Sequence, residues 1–214
     1  MIEIEAKFSI NDVGLLEKYR DCDYIGRYHL GTSEELFVVD DYLDTREGTI
    51  LNAGYHLRVR TCGGNQIVTI KSSQSQESRF SVREEIEFPL HSEASDVDSW
   101  VNQEAVALIN PLLQGRDLCV NVQLRQRRSE RQVCDGTDVL AMMSLDGVQV
   151  WHSGLILDDF HVLEFELLSG IDMIVLEDIS SVLAKDGLEA QPVAKLSRAL
   201  MALQMARKET RNVA

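Results

Sequence analysis

The chain has 214 residues, 44% apolar and 26% charged, which is enough to bury a core and ordinary for a soluble globular fold. A net charge of −14 argues against a general nucleic-acid binder, which gathers bases. Any anion site in so acidic a chain must concentrate its bases locally or recruit cations. No stretch of 18 apolar residues is present and the opening MIEIEAKF has no signal-like apolar core, so no membrane span and a cytoplasmic location are expected. The cysteines, Cys22, Cys62, Cys119 and Cys134, form no CxxC pair and no zinc spacing with histidine, so they read as free thiols.

Eight strands are predicted in chain order, over 1–8, 36–44, 54–61, 66–72, 79–88, 119–133, 138–150 and 160–168. A helix over 11–20 follows the first, with Asn11 or Asp12 as N-cap and Leu15, Leu16 and Tyr19 on one face. Gly63-Gly64-Asn65 marks a tight turn between the third and fourth strands. Residues 71–78, KSSQSQES, read as a loop; Ser72, Ser73, Ser75 and Ser78 there, with Ser81 at its exit, do not resemble a nucleophile site. A second helix is expected over 96–109, carrying Val97, Trp100, Val101, Ala105 and Leu108, and a third over 171–185. The fourth is expected to start near Pro192 and to carry Val193, Leu196, Leu200 and Leu203. No repeat or linker divides the chain: residues 1–205 read as one domain and 206–214 as a short tail.

Successive side chains of a strand point to opposite faces. In the first strand Ile2, Ile4, Ala6 and Phe8 oppose Glu3, Glu5 and Lys7. Tyr55, Leu57 and Val59 oppose His56, Arg58 and Arg60, and Val68 and Ile70 oppose Thr69 and Lys71. Phe80, Val82, Ile86 and Phe88 oppose Ser81, Arg83, Glu85 and Glu87. Leu145 opposes Ser144 and Asp146, and Leu163, Phe165 and Leu167 oppose Glu164 and Glu166. One such strand fits a sheet with its polar face in water. Taken together, however, the polar faces are mostly ionic, both signs recur as i, i+2 pairs, and the helices need an apolar surface to cover. The pattern therefore predicts an α+β fold: an eight-stranded antiparallel β-barrel, apolar outside under helices and charged inside.

Such a lumen is tolerable when wet and when acids, bases, a polyanion and metal ions neutralise one another. Paired carboxylates suit hard divalent cations such as Mg²⁺ or Mn²⁺. Arginines and lysines suit phosphate oxygens, and a guanidinium can hold two at once. The five histidines, His29, His56, His91, His152 and His161, form no metal spacing; His56 is placed beside the LRVR face and His161 on the packed one.

ExExK at Glu3, Glu5 and Lys7, DYLDT at 41–45, GYHLRVR at 54–60, VTIK at 68–71, REEIE at 83–87, SLD at 144–146 and LEFEL at 163–167 stand in the order seen in the CYTH domain. The chain resembles that family, also called triphosphate tunnel metalloenzymes, from residue 2 to about residue 203. The resemblance implies an eight-stranded tunnel and an activity among inorganic triphosphatase, thiamine triphosphatase and class IV adenylyl cyclase. It implies Glu3, Glu5, Asp146, Glu164 and Glu166 as metal-side acids, and Lys7, Arg58, Arg60 and Lys71, with Arg83, as the triphosphate grip. Lys7, Glu5, Glu85 and Glu87 are the catalytic candidates. In VQLRQRRSERQV, strict alternation from Val120, Val122 and Leu124 turns Arg125 and Arg127 inward, whereas the family-like register selects Arg128. Arg128 is preferred, with Arg125 second. PVAKLSRAL resembles the segment by which triphosphatase members bring a late lysine and arginine to the tunnel, here Lys195 and Arg198; class IV cyclases usually lack that lysine.

The expected function is metal-dependent hydrolysis of the terminal phosphoanhydride of a small triphosphate. Inorganic triphosphate comes first, then nucleoside or thiamine triphosphate. The alternatives are a cyclase making cyclic AMP and pyrophosphate, or a non-catalytic triphosphate- or polyphosphate-binding module. Neither nucleic acid nor membrane is expected as partner, and the chain is expected to be a monomer or homodimer.

Overall fold

The computed structural model describes residues 1–73, 79–191 and 194–213, with side chains described through residue 208. Pro192, Val193, Ser75 and Ser78 lie outside the described residues. The strands are β1 (Ile2–Ile10), β2 (Tyr24–Ile25), β3 (Tyr28–Leu30), β4 (Glu34–Asp44), β5 (Tyr55–Cys62), β6 (Asn65–Ser72), β7 (Ser81–Pro89), β8 (Cys119–Asp135), β9 (Asp138–His152) and β10 (Leu155–Leu167). The helices are α1 (Val13–Asp21), α2 (Thr49–Asn52), α3 (Gln103–Leu113), α4 (Ile174–Leu183) and α5 (Lys195–Val213).

The strand order is β8-β4-β5-β6-β7-β1-β10-β9, and β9 pairs back onto β8, so eight antiparallel strands close into a barrel. Closure removes every edge from those eight strands. The hairpin β2–β3 extends the sheet from the far end of β8, through His29 and Leu30 opposite Cys134 and Val133. At two and three residues these strands are too short to carry a periodic signal, and so is α2. Gly63 and Gly64 form the two-residue loop between β5 and β6; both have positive φ, the twist that suits a tight hairpin.

Two apolar clusters lie outside the barrel. Ala6, Phe8, Met143, Leu145, Leu163 and Phe165 meet Leu176, Ile179 and Leu183 of α4. Leu57, Val59, Val68 and Ile70 meet Ala105 and Ile109 of α3. Asp12 caps α1, accepting from the Leu15 amide at 2.9 Å. The helix expected over 96–109 is instead broken. Val97–Ser99 form a 3₁₀ turn, and Asn102 caps a fresh start at Gln103 by accepting from the Ala105 amide at 3.0 Å. A side-chain acceptor there competes with continued helix.

A third apolar cluster lies inside the barrel. Val122 and Leu124 of β8, Val148 and Val150 of β9, and Phe160 and Val162 of β10 pack against Leu196 and Ala199 of α5. On these three strands the inner face is apolar at the end that α5 covers and charged farther along. Among the described residues no helix is long and apolar enough to cross a membrane. All four cysteines are free.

Candidate active site

The charged half of the lumen holds a cavity of about 290 Å³. β1 supplies Glu3, Glu5 and Lys7; β5 supplies His56, Arg58 and Arg60; β6 supplies Thr69 and Lys71; and β7 supplies Arg83, Glu85 and Glu87. β8 adds Arg128 and Glu130, β10 adds Glu164 and Glu166, and α5 adds Lys195. The alternation read from β1, β5, β6, β7 and β10 thus places its charged side chains inward.

The inner wall divides by partner. On one side Lys71 pairs with Glu3 and lies 3.4 Å from Glu85. Arg83 pairs with Glu5 and lies 3.5 Å from Glu3, and Lys7 pairs with Glu5. On the other side, Arg128 holds Asp146 with two bonds of 2.8 Å, and Lys195 bridges Asp146 at 2.5 Å and Glu164 at 2.8 Å. Arg60 grips Asp40 through Nε at 2.8 Å and a terminal nitrogen at 2.9 Å. Arg58 donates to Thr69 Oγ1 at 3.0 Å, and Thr69 donates in turn to Glu87 at 3.1 Å.

These pairings set the charges. Burial pushes Glu5 up, but Lys7, helped by Arg83 and Lys71, outweighs it and holds the carboxyl down at about 2. Burial likewise opposes Lys7, yet Glu5 and Glu164 raise it, so Lys7 stays a cation. Burial would raise Asp146 and Glu164, but Lys195, then Arg128 for Asp146 and Lys7 for Glu164, keeps both low. Burial, then Arg83 and Lys71, lowers His56 to about 4, so its ring is neutral at pH 7. Glu166 is the exception. It reaches water at the cavity mouth, yet loss of hydration between the walls, and then Glu3, push it up to about 7.

Carboxylate crowding by itself makes a lumen acid costly to the fold. That holds at Glu166 and is reversed at Glu5 and Glu164, where bases outweigh the crowding. A carboxyl raised on folding holds its proton longer in the folded chain, so stability falls as pH rises from about 4.5 to about 7. Glu166→Gln removes that dependence: the metal-free variant should melt higher than wild type at pH 8 and equally at pH 4, as followed by thermal unfolding.

Four positions differ from the sequence reading. Arg125 faces outward, its guanidinium 4.0 Å from the Trp151 ring centroid and its Nε bonded to Gln123 at 2.7 Å. Arg127 is outward too. No bulge separates the two registers: Arg125 through Arg128 pair one-to-one with Gln149 through Asp146. Alternation misled because Val122 and Leu124, taken as outer residues, fill the barrel against α5. Arg198 lies outside the cavity, bonded to Asp158 at 2.7 Å and stacked 4.1 Å from the Phe160 centroid. Asp146, expected among the metal acids, is fully buried and occupied by Arg128 and Lys195.

Sequence reasoning missed Asp40, fully buried beneath the arginines and bonded also by Gln126 at 2.7 Å. It missed the lining residues Tyr42 and Glu130 as well. Alternation back from Tyr42 through VVDDYLDT was the available signal for Asp40. Asp44 of the same motif instead seats α2, accepting from the amides of Thr45, Ile50 and Leu51 at 2.7, 2.9 and 3.0 Å.

A closed antiparallel barrel with opposed acidic and basic pairs inside defines a tunnel protein. Residues 1–199 match the CYTH domain, and the chain belongs to that family. Among curated proteins none matches it by sequence. Its fold is similar to that of HpAC1 of Hippeastrum, described as a candidate adenylyl cyclase with a dominant triphosphatase activity. That match has a TM-score of 0.62 and 17% identity, and covers 91% of this chain and 93% of the other. It is also similar to a candidate adenylate cyclase of Bacillus halodurans (TM-score 0.59, 17% identity, 92% and 96% covered). A third is a protein of Pyrococcus horikoshii OT3 (TM-score 0.57, 19% identity, 93% and 98% covered).

Proposed function

We propose that this chain is a divalent-metal-dependent triphosphatase that releases orthophosphate from a small triphosphate, inorganic triphosphate first. The observation that carries the reading is the bank of bases along one cavity, Arg58, Arg60, Arg128 and Lys195, opposite Glu3, Glu5, Glu85 and Glu166. Guanidiniums suit phosphate oxygens, and carboxylates suit a hard cation.

The acidic side fits such a cation. One oxygen of Glu3 is buried without a hydrogen-bond partner, and Glu166 sits with its ionised form disfavoured. Glu3, Glu5 and Glu166 would hold Mg²⁺ or Mn²⁺. Among the described residues no three donors already converge on one point, so these carboxylates would share the cation with water and phosphate oxygens. When bound, the metal supplies charge neutralisation for the transferring phosphoryl group. The chain's own residues do the rest. Arg58, Arg60 and Arg128 orient the phosphates, Lys7 and Lys195 balance charge near the leaving oxygen, and a lumen carboxylate such as Glu85 or Glu87 orients the attacking water. No covalent intermediate is needed.

Two features favour hydrolysis over cyclisation. Lys195 reaches the lumen from α5, as the resemblance to triphosphatases implies. Among the described residues, the only rings lining the cavity are Tyr42 and His56, a poor seat for adenine. The test incubates the protein with inorganic triphosphate, ATP and thiamine triphosphate, each with Mg²⁺, Mn²⁺ or chelator. Orthophosphate with metal is expected, most from inorganic triphosphate. Cyclic AMP with pyrophosphate from ATP would replace this reading with a cyclase, and binding without turnover would replace it with a sensor.

A further inference from the structure

The outer wall of β4, β8, β9 and β10 carries a second recess, of about 670 Å³, that the triphosphatase reading does not use. One rung across it runs Phe37, Arg127, Gly147, His161, each opposite the next on neighbouring strands. The next rung holds Arg125, with Trp151 beneath its guanidinium, and Arg20 leans in from α1.

Three features mark the recess as more than a solvated sheet face. First, acids outnumber bases 35 to 21 in this chain, and several of its arginines meet carboxylates, as Arg60, Arg83, Arg116, Arg128 and Arg198 do. Among the described residues, Arg20, Arg125 and Arg127 form no such pair, while the recess carboxylates Glu35 and Asp159 already accept from Ser33 and Gln149. Second, Gly147 leaves a notch between Arg127 and His161 that a Cβ would fill, 3.4 Å from the His161 ring. Third, aromatic surface flanks the bases: Phe37 is 60% exposed, and Trp151 lines the recess.

Unpaired guanidiniums bind phosphoryl oxygens, exposed rings stack on planar bases, and a glycine lets a ligand approach the backbone closely. We propose that this outer recess binds a nucleotide, its phosphate on Arg127 and Arg20 and its base against Phe37 and Trp151. The site is separate from the tunnel, on the opposite face of the strands that hold Arg128, Asp146 and Glu164.

The probe is adenosine monophosphate, which has no anhydride to hydrolyse. Of the chain's two tryptophans Trp100 is buried, so Trp151 emission reports the recess. Titration of the intact protein should give a saturable emission change, unaltered in the tunnel variant Arg60→Ala. Arg127→Gln and Gly147→Ala should each weaken it at least tenfold and leave triphosphate turnover unchanged. Gly147 has no positive φ, so alanine fits its backbone. No saturable change in wild type overturns the proposal, as does a change lost in Arg60→Ala but kept in Arg127→Gln. Orthophosphate binding as tightly as the nucleotide would overturn the assignment of ligand class.

Discussion

Glu5→Gln is expected to cut triphosphate turnover by about 100-fold or more in Mg²⁺, the scale of losing a metal-supporting group. Glu5 lies on the side of the lumen that also holds Glu3, Lys71 and Arg83. Its carboxylate pairs with Lys7 and Arg83, and Glu166 is its cross-strand neighbour. Glutamine keeps the shape and one acceptor, but it removes the charge that holds two buried cations and would face the metal. The fold should persist, with a lower melting temperature at pH 7. A carboxyl held down at about 2 contributes stability above the ordinary carboxylate range and loses it as pH falls toward 2, and the variant should lack that acid-sensitive share. Steady-state rates across a Mg²⁺ titration check the first part. A rate equal to wild type at every metal concentration removes Glu5 from the metal role.

Asp40→Asn should be the most destabilising single change in the lumen that leaves every cavity-lining residue in place. Asp40 is fully buried and receives two bonds from Arg60 and one from Gln126, with Arg58 3.7 Å away. Burial raises its pKa, but Arg58 and Arg60 overcome this and hold it well below the carboxylate range. Removing one partner of a buried pair leaves the other charge uncompensated, at a cost of about 3–5 kcal/mol. The urea midpoint should fall accordingly, and Arg60, no longer fixed, should lose its aim at the ligand. The double variant Asp40→Asn with Arg60→Gln should recover part of the stability but none of the affinity, because it removes the stranded charge along with the grip. If Asp40→Asn unfolds at the wild-type midpoint, Asp40 does not anchor these arginines.

The barrel was legible because stretches of five strands, β1, β5, β6, β7 and β10, follow one rule. From Glu3 to Lys7, or His56 to Arg60, charge alternates with apolar residues, and every charged member faces the lumen. The rule fails on β8, where Val122 and Leu124 share a face with Arg128. Alternation records which residues share a face but not which face is inside, and α5 reverses the usual answer by packing on the inner wall. The same helix splits Lys195 from Arg198: Lys195 reaches Asp146 and Glu164, while Arg198 is captured by Asp158 outside. Three residues apart on a helix sets a shared side approximately, and the neighbouring strand decides which member enters the cavity. Asp40 stayed hidden because the adjacent Asp41 and Asp44 offer the same chemistry, and only closure of the barrel tells the arginine anchor from the helix cap.

The central claim is that this lumen grips a chain of three phosphates. Calorimetric titration of the non-hydrolysable imidotriphosphate and of pyrophosphate, at fixed Mg²⁺ and salt, tests it with wild type, Arg58→Ala and Arg60→Ala. The two guanidiniums stand on one strand face about 6.6 Å apart, from a rise of about 3.3 Å per residue, a span that suits neighbouring phosphoryl groups. Wild type should bind the triphosphate at one site, and each variant should lose about 2–5 kcal/mol, the scale of losing a buried charge partner. Pyrophosphate, too short to span both, should suffer from only one of the two substitutions. Equal and small losses for both ligands in both variants would mean that these arginines merely balance lumen charge, and would contradict the triphosphate grip.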